Sequence, residues 1–147
     1  MLFELLRDTS SVSTMAHMFD RAYAFNGSVS AWDTSSVTTM TYMFRQAEDF
    51  DRDVSSWDTS SVTNMERMFD SSSFNQDISS WNTSSVKDGN MAYMFQDATA
   101  FDQDISSWCV DDISDEPVDF DTNAGFDGDV GKQPVWGTNQ GCRQSPP

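Results

Sequence analysis

The chain has almost no leucine: three residues, at positions 2, 5 and 6. Its interior must therefore be built from Met, Phe, Trp, Val and Ile, with methionine filling the irregular gaps between rings. Basic residues are nearly as scarce. Eight Lys and Arg, scattered singly, stand against 24 acids, for a formal net charge of −16 and a pI of about 4.1. Binding a phosphate backbone needs clustered cations, so nucleic acid is not expected as a partner, and an anionic membrane surface would repel the chain. The single histidine, His17, shares its repeat position with Tyr42, Arg67 and Tyr93. A site that accepts imidazole, phenol or guanidinium alike reads as solvent-facing rather than catalytic. GxGxxG, P-loop and HExxH patterns are all missing, so no enzyme is expected. No run reaches transmembrane length, and membrane insertion is not expected in this chain. Met1 to Leu6, MLFELL, is too short for a signal h-region and carries Glu4, so a secreted protein would take its leader from outside this chain.

What the chain does have is a period. Tryptophans fall at 32, 57, 81 and 108, steps of 57−32 = 25, 81−57 = 24 and 108−81 = 27. Val12, Val37, Val62 and Val86 keep the same step, as do Met15, Met40, Met65 and Met91; Met18, Met43, Met68 and Met94; and Phe19, Phe44, Phe69 and Phe95. A second phenylalanine series, Phe25, Phe50, Phe74 and Phe101, leads into Val29, Val54, Ile78 and Ile105. These series survive one residue lost between Phe69 and Phe74 and two gained between Lys87 and Asn90. A period of this length means one supersecondary unit per repeat, stacked so that neighbours bury each other's apolar faces.

Each unit reads as a short strand, Asp-Ile-Ser-Ser-Trp at 77–81 and its equivalents, followed by a short helix. Val62, Met65, Met68 and Phe69 have the spacing of one helical face, and Ser61, or Thr63 with Glu66, would cap it. The Met and Phe stripe is core rather than a ligand groove. The expected fold is an α/β, right-handed leucine-rich-repeat-like solenoid of about four repeats with a non-repeat C-terminal cap. Its divisions are an N-terminal half repeat or cap at 1–7, the solenoid at 8–108, the C-terminal cap at 109–142 and a disordered tail at 143–147.

Aspartate outnumbers glutamate by twenty to four. Turn and cap chemistry, Ca²⁺ ligation and a salty medium that screens self-repulsion all favour such a surface, and recurrence at fixed repeat positions gives most weight to turns. Cys109 and Cys142 lie after the last repeat, 142−109 = 33 apart with no CxxC. That spacing argues against zinc and for a disulfide closing the C-terminal segment, two free thiols being the alternative.

The unit WDTSSVTNMERMFDSSSFNQDISSW resembles the BspA-like surface-protein family, which includes mycoplasma lipoproteins, and the resemblance covers Asp8 to Trp108 four times over. Trp108-Cys109-Val110, Ile113, Pro117, Phe120 and Pro134-Val135-Trp136-Gly137-Thr138 resemble that family's C-terminal segment, except that Asn139 stands where a cysteine would follow Gly-Thr. The resemblance implies a secreted or cell-surface leucine-rich-repeat-like domain linked to adhesion and protein binding, without enzyme activity.

The expected contact surface is the strand-ladder face: Ser30, Ser55, Ser79 and Ser106; Asp53, Asp77 and Asp104; and Thr34, Thr59 and Thr83. Its expected partner is a protein or glycan on another surface, with self-association through the open solenoid ends as a further expectation. A structural length of a longer stalk or filament is one alternative role. Ice binding through the Thr and Ser rows is another. No cofactor is required. Ca²⁺ is the one metal the sequence suggests, at Asp119, Asp121, Asn123, Asp127 and Asp129, where D-x-D-x-N begins like an EF-hand loop but Gly125 falls one place late and Val130 replaces the twelfth-position Glu. A solvated acidic loop is the alternative reading.

Overall fold

The computed structural model describes residues 8–137. Among them there is no helix and no strand, and regular pairing is limited to two isolated parallel bridges, Thr14 with Thr39 and Thr39 with Asn64. The α/β strand-plus-helix solenoid of leucine-rich-repeat type is therefore wrong in both of its elements. The half repeat at 1–7 and the tail at 143–147 lie outside the described residues.

The reason lies in where the backbone N–H groups go. In the segment expected to be helical, alternate N–H groups leave the repeat: His17, Phe19 and Arg21 donate to the carbonyls of Thr41, Met43 and Arg45 at 2.9, 2.9 and 2.7 Å. The intervening N–H groups stay home. Met18, Asp20 and Ala22 donate three residues back, to Met15, His17 and Phe19. A helix would keep every one of these donors inside itself, and a strand would keep none. The same half-and-half pattern recurs in four rungs, 15–21, 40–46, 65–71 and 91–97, and Tyr93, Phe95 and Asp97 of the last donate to Val118, Phe120 and Thr122 of a fifth, 117–123.

Alternation of this kind needs a backbone that reverses hand. Among the described residues, every non-glycine residue of positive φ is the third or seventh of a rung: His17 and Arg21, Tyr42 and Gln46, Arg67 and Ser71, Tyr93 and Asp97, Asp119 and Asn123. Each such conformation costs roughly 1–2 kcal/mol for a side-chain-bearing residue. In the first four rungs each of these residues donates its own N–H to the next rung, which offsets the strain.

The expected strand is a tight turn instead. Asp53 Oδ1 accepts the Ser55 N–H at 2.9 Å, and the Trp57 N–H closes back on the Val54 carbonyl at 3.1 Å. Asp58-Thr-Ser-Ser-Val62 repeats the same turn five residues on, with Ser60 bonded to Asp58 and Val62 to Thr59. The recurring aspartates are thus turn residues, as their fixed positions suggested.

Rung on rung, the apolar series stack into columns. Phe19, Phe44, Phe69 and Phe95 lie parallel with centroids 5.4–5.8 Å apart, Phe25, Phe50, Phe74 and Phe101 at 5.8–6.0 Å, and Trp57, Trp81 and Trp108 at 6.4 Å. Polar stitches tie the rungs together. Each of these tryptophans donates its indole N–H to the preceding unit's carbonyl, Val29, Val54 or Ile78, at 2.9–3.1 Å. Asn26, Asp51 and Asn75 each accept a backbone N–H from the following unit.

The expected cap begins as a fifth rung, with one exchange. Register places Phe120 where Met94 stands and Asp121 where Phe95 stands. Phe120 and Phe126 meet Phe95 edge-on, at 87° and 83°, which ends the parallel stack. Gly125 is needed there, since a Cβ would come within 2.8 Å of the Phe101 carbonyl oxygen. The Cys109–Cys142 pairing runs to a residue outside the described range; Cys109 itself is half-buried and its carbonyl accepts the Thr83 hydroxyl.

Candidate functional site

The polar residues singled out from the sequence separate into two kinds. Thr34, Thr59 and Thr83 are buried, and their hydroxyls donate to the next unit's carbonyls, Asp58, Asn82 and Cys109, at 3.0, 3.0 and 2.7 Å. They are stitches and face no solvent, which removes the threonine row from both the contact surface and the ice-binding reading. Ser30, Ser55, Ser106, Asp53, Asp77 and Asp104 are exposed and Ser79 is half-buried.

The exposed set belongs to the first turn of each unit. Asp53, Asp77 and Asp104 accept the N–H of Ser55, Ser79 and Ser106 through Oδ1 at 2.9–3.0 Å, which fixes each carboxylate on the outside of the column. Oδ2 of each has no hydrogen-bond partner among the described residues. Hydrogen bonds from Ser55 and Ser106 hold the Asp53 and Asp104 carboxyls below the usual carboxylate range, and Ser79 does the same for Asp77, although the Asp104 charge opposes it. All three are therefore anionic at neutral pH. The serine following each turn is a stitch: Ser56, Ser80 and Ser107 donate to the carbonyls of Ser30, Ser55 and Ser79.

Between the third and fourth of these turns the face opens into a shallow groove of about 320 Å³, lined by Asp77, Ser79, Gln103, Asp104, Ser106 and Ser107. Four of those residues were expected from the sequence. Gln103 and Ser107 were not, although Gln103 is two residues after Phe101, as Gln76 is after Phe74, and always lay beside the row. Gln103 donates its Nε2 to the Asn75 carbonyl and Oδ1, which leaves its own oxygen without a hydrogen-bond partner among the described residues. Such a site can grip hydroxyls or cationic groups, and it holds no nucleophile–base pair.

A second ladder lies on the rungs themselves. His17 stacks on Tyr42 at 4.7 Å, and the Arg67 guanidinium sits 3.9 Å over Tyr93. Arg45 pairs bidentately with Asp20, and Arg67 pairs with Asp70. His17 is exposed at a turn rather than on a helix.

The calcium candidates are not gathered. Asp119 accepts the Thr122 hydroxyl, Asp121 is buried and accepts from Gln133, Asn123 donates to Asp97, Asp127 accepts the Asn123 N–H, and Asp129 accepts the Gly131 N–H. Among the described residues no group of three or more acidic, histidine or cysteine side chains is arranged to hold an ion. Burial pushes the Asp121 carboxyl up, Asp127 adding to it against the Gln133 bond, and burial with the Asp121 charge raises Glu116. Both acids resist ionisation.

No helix is long and apolar enough to cross a membrane among the described residues. No curated protein and no solved structure matches the chain. One family model matches twice, over residues 6–90 and again over 70–141, and overlapping placements are what stacked units of near-identical register produce. Those two matches together span nearly the whole chain, which therefore belongs to the family described as Mycoplasma protein of unknown function, DUF285.

Proposed function

We propose that the protein is a non-enzymatic binding module of the cell surface or extracellular space, which recognises a protein or glycan through the Asp and Ser face and its groove. One observation carries the reading. Every buried hydroxyl of the threonine row is consumed in stitching the units together, whereas Asp53, Asp77 and Asp104 keep a carboxylate oxygen outward in the same place on successive units. A rigid row of like groups suits multivalent contact, because each rung is pinned before a partner arrives and little further ordering is needed. The resemblance to BspA-like surface proteins supports the same reading. Carboxylates and hydroxyls without a nearby imidazole or thiol support binding rather than catalysis.

The test exchanges Asp53, Asp77 and Asp104 for Asn together. Asparagine keeps the Oδ1 acceptor and therefore the turn, but removes the charge. Binding of the wild type to an array of surface glycans and basic proteins, reduced at least tenfold in a triple variant that still melts cooperatively, is expected. Capture that survives the exchange would remove this face from the function.

A structural role in a longer stack is favoured by one observation. Met18 is 43% exposed, whereas Met43, Met68 and Met94 at the same position are fully buried. The outer face of the first rung thus presents Met18 with no cover from the described residues, fit for a further unit.

A further inference from the structure

We infer that Asn82 is an acceptor for N-linked glycan, with Asn26 as a second acceptor, an inference that rests on the extracellular reading above. Of the seven asparagines only these two open an Asn-x-Ser/Thr triplet, Asn82-Thr83-Ser84 and Asn26-Gly27-Ser28. The triplet alone says little. Its geometry here says more.

Asn82 occupies the turn position that Asp8, Asp33 and Asp58 hold in the earlier units. In each of those turns one carboxylate oxygen takes both the N–H and the hydroxyl of the serine two residues on. Asn82 keeps that arrangement, its Oδ1 accepting the Ser84 N–H at 3.1 Å and the Ser84 hydroxyl at 2.7 Å. The exchange from Asp to Asn therefore costs the turn nothing, and it changes the second, outward atom from an anionic oxygen to an amide nitrogen. That nitrogen has no hydrogen-bond partner among the described residues, and it is not among the buried unpaired atoms, so it faces solvent. Thr83, between the two, is fully buried and bonded to the Cys109 carbonyl. Asn82 and Ser84 are thus half-buried on either side of fully buried Thr83, with the carboxamide and the serine hydroxyl bonded to each other in a tight turn.

Asn90 and Asn123 show the opposite use. Both spend the amide nitrogen inside the protein, on the Thr63 carbonyl and on Asp97, and neither begins a triplet. Asn26 resembles Asn82: it is exposed, its Oδ1 is held by the Asp51 N–H at 3.2 Å, and its nitrogen is left outward. Gly27 beside it leaves room for the Phe25 ring, which a Cβ would approach to 3.0 Å.

The donor is an oligosaccharide on a polyprenyl pyrophosphate, acted on by a membrane transferase. The Asn82 Nδ2–C1 bond forms as the C1–O bond to pyrophosphate breaks. The pyrophosphate leaves with the electron pair, and the amide nitrogen gives up one proton to a base of the transferase. Because that nitrogen holds no hydrogen bond among the described residues, the glycan displaces no stitch between units.

The experiment directs the whole chain through the secretory pathway of a host that carries the transferase and reads intact mass and gel mobility before and after N-glycosidase. Two glycan steps are expected in the wild type. One is lost in Asn82→Gln and equally in Ser84→Ala, the other in Asn26→Gln and Ser28→Ala. Asn82→Asp, which restores the residue of the other units, folds normally and loses the first step alone. A secreted wild type of bare peptide mass overturns the inference whatever the variants do. In the native source, protein found outside the cell at bare mass overturns the inference and leaves the surface reading standing, whereas protein retained inside the cell overturns both.

Discussion

The indole N–H of Trp81 reaches into the preceding unit and donates to the carbonyl of Val54 at 3.1 Å. The ring and the bond contribute separately to stability. Trp81→Phe keeps an aromatic in the column and removes one of the two hydrogen bonds that the Val54 carbonyl accepts, the Trp57 N–H keeping the other, and is expected to cost about 0.5–1.5 kcal/mol. Trp81→Ala also leaves a void between Trp57 and Trp108 and should cost about 3–5 kcal/mol. Chemical denaturation of the two variants measures the difference, and equal losses would mean that the ring adds nothing beyond the indole bond.

Thr83 offers a cleaner test of the polar stitches. Thr83→Val conserves shape and removes only the hydroxyl that the Cys109 carbonyl accepts, so a loss of about 1–3 kcal/mol is expected. Ser106→Ala on the exposed row should stay within about 0.5 kcal/mol. Comparable losses at the two sites would contradict the division between stitching and presenting hydroxyls.

Gln46 sits at φ 54° with no side-chain hydrogen bond or ion pair among the described residues. Gln46→Gly relieves the left-handed strain and should be neutral or stabilising by up to about 1 kcal/mol, while Gln46→Val, branched at Cβ, should destabilise by about 1–2 kcal/mol. Glycine is ordinarily the worse choice in an ordered segment. Thermal melts that rank valine above glycine would show that the backbone reversal is not what holds the rung.

Buried Asp121 and its more exposed neighbour Glu116 set an unusual pH response. The folded pKa values of Asp121 and Glu116 lie above their ordinary values, so the folded state holds protons that the unfolded chain has released. Their contribution is complete below the unfolded pKa, near pH 4, and is lost as pH rises through the folded values. Asp53, Asp77 and Asp104 act in the opposite sense, their depressed pKa values adding stability above pH 4 that is lost in stronger acid. Stability of the fifth rung, followed by Trp136 emission, should therefore fall from pH 4 toward pH 7. Asp121→Asn, which keeps an acceptor for Gln133, should flatten that fall. A slope unchanged in the variant would place its origin elsewhere.

How much of this was legible in the sequence depends on which bond is asked about. The phase of the Trp, Met and Phe series located the core and the stacking, because contact between neighbouring units depends on side-chain register alone. The path between those residues was not legible. Met65, Met68 and Phe69 share a side in a helix, but equally so in consecutive turns that close three residues back, and the distinction rests on Arg67 and Ser71 turning left-handed. Sequence normally marks such positions with Gly or Asn, whereas in the first four rungs they are His, Arg, Tyr, Gln, Ser and Asp, held by the neighbouring rung rather than by local preference. Asp-x-Ser, found at 8–10, 33–35, 53–55, 58–60, 77–79 and 104–106, was an available turn signal that outranked the β-favouring Val and Ile between. For the face itself, Asp53, Asp77 and Asp104 could be placed outward from their turn chemistry, but Thr34, Thr59 and Thr83 could not be placed inward. No strand alternation existed to decide it.

The half-and-half use of backbone donors also has a mechanical consequence. Each rung is fastened to the next by three or four backbone bonds and a few side-chain stitches, all crossing the same interface, while its internal turns carry no load from its neighbours. Tension applied to the chain ends would strip these fastenings one interface at a time rather than shear the column as a block. Every event would release 24 to 27 residues, the steps between successive tryptophans. At roughly 3.5 Å per extended residue that is a lengthening of about 85–95 Å, so a pulled molecule would give way in near-equal strides and yield gradually where a single cooperative core would snap.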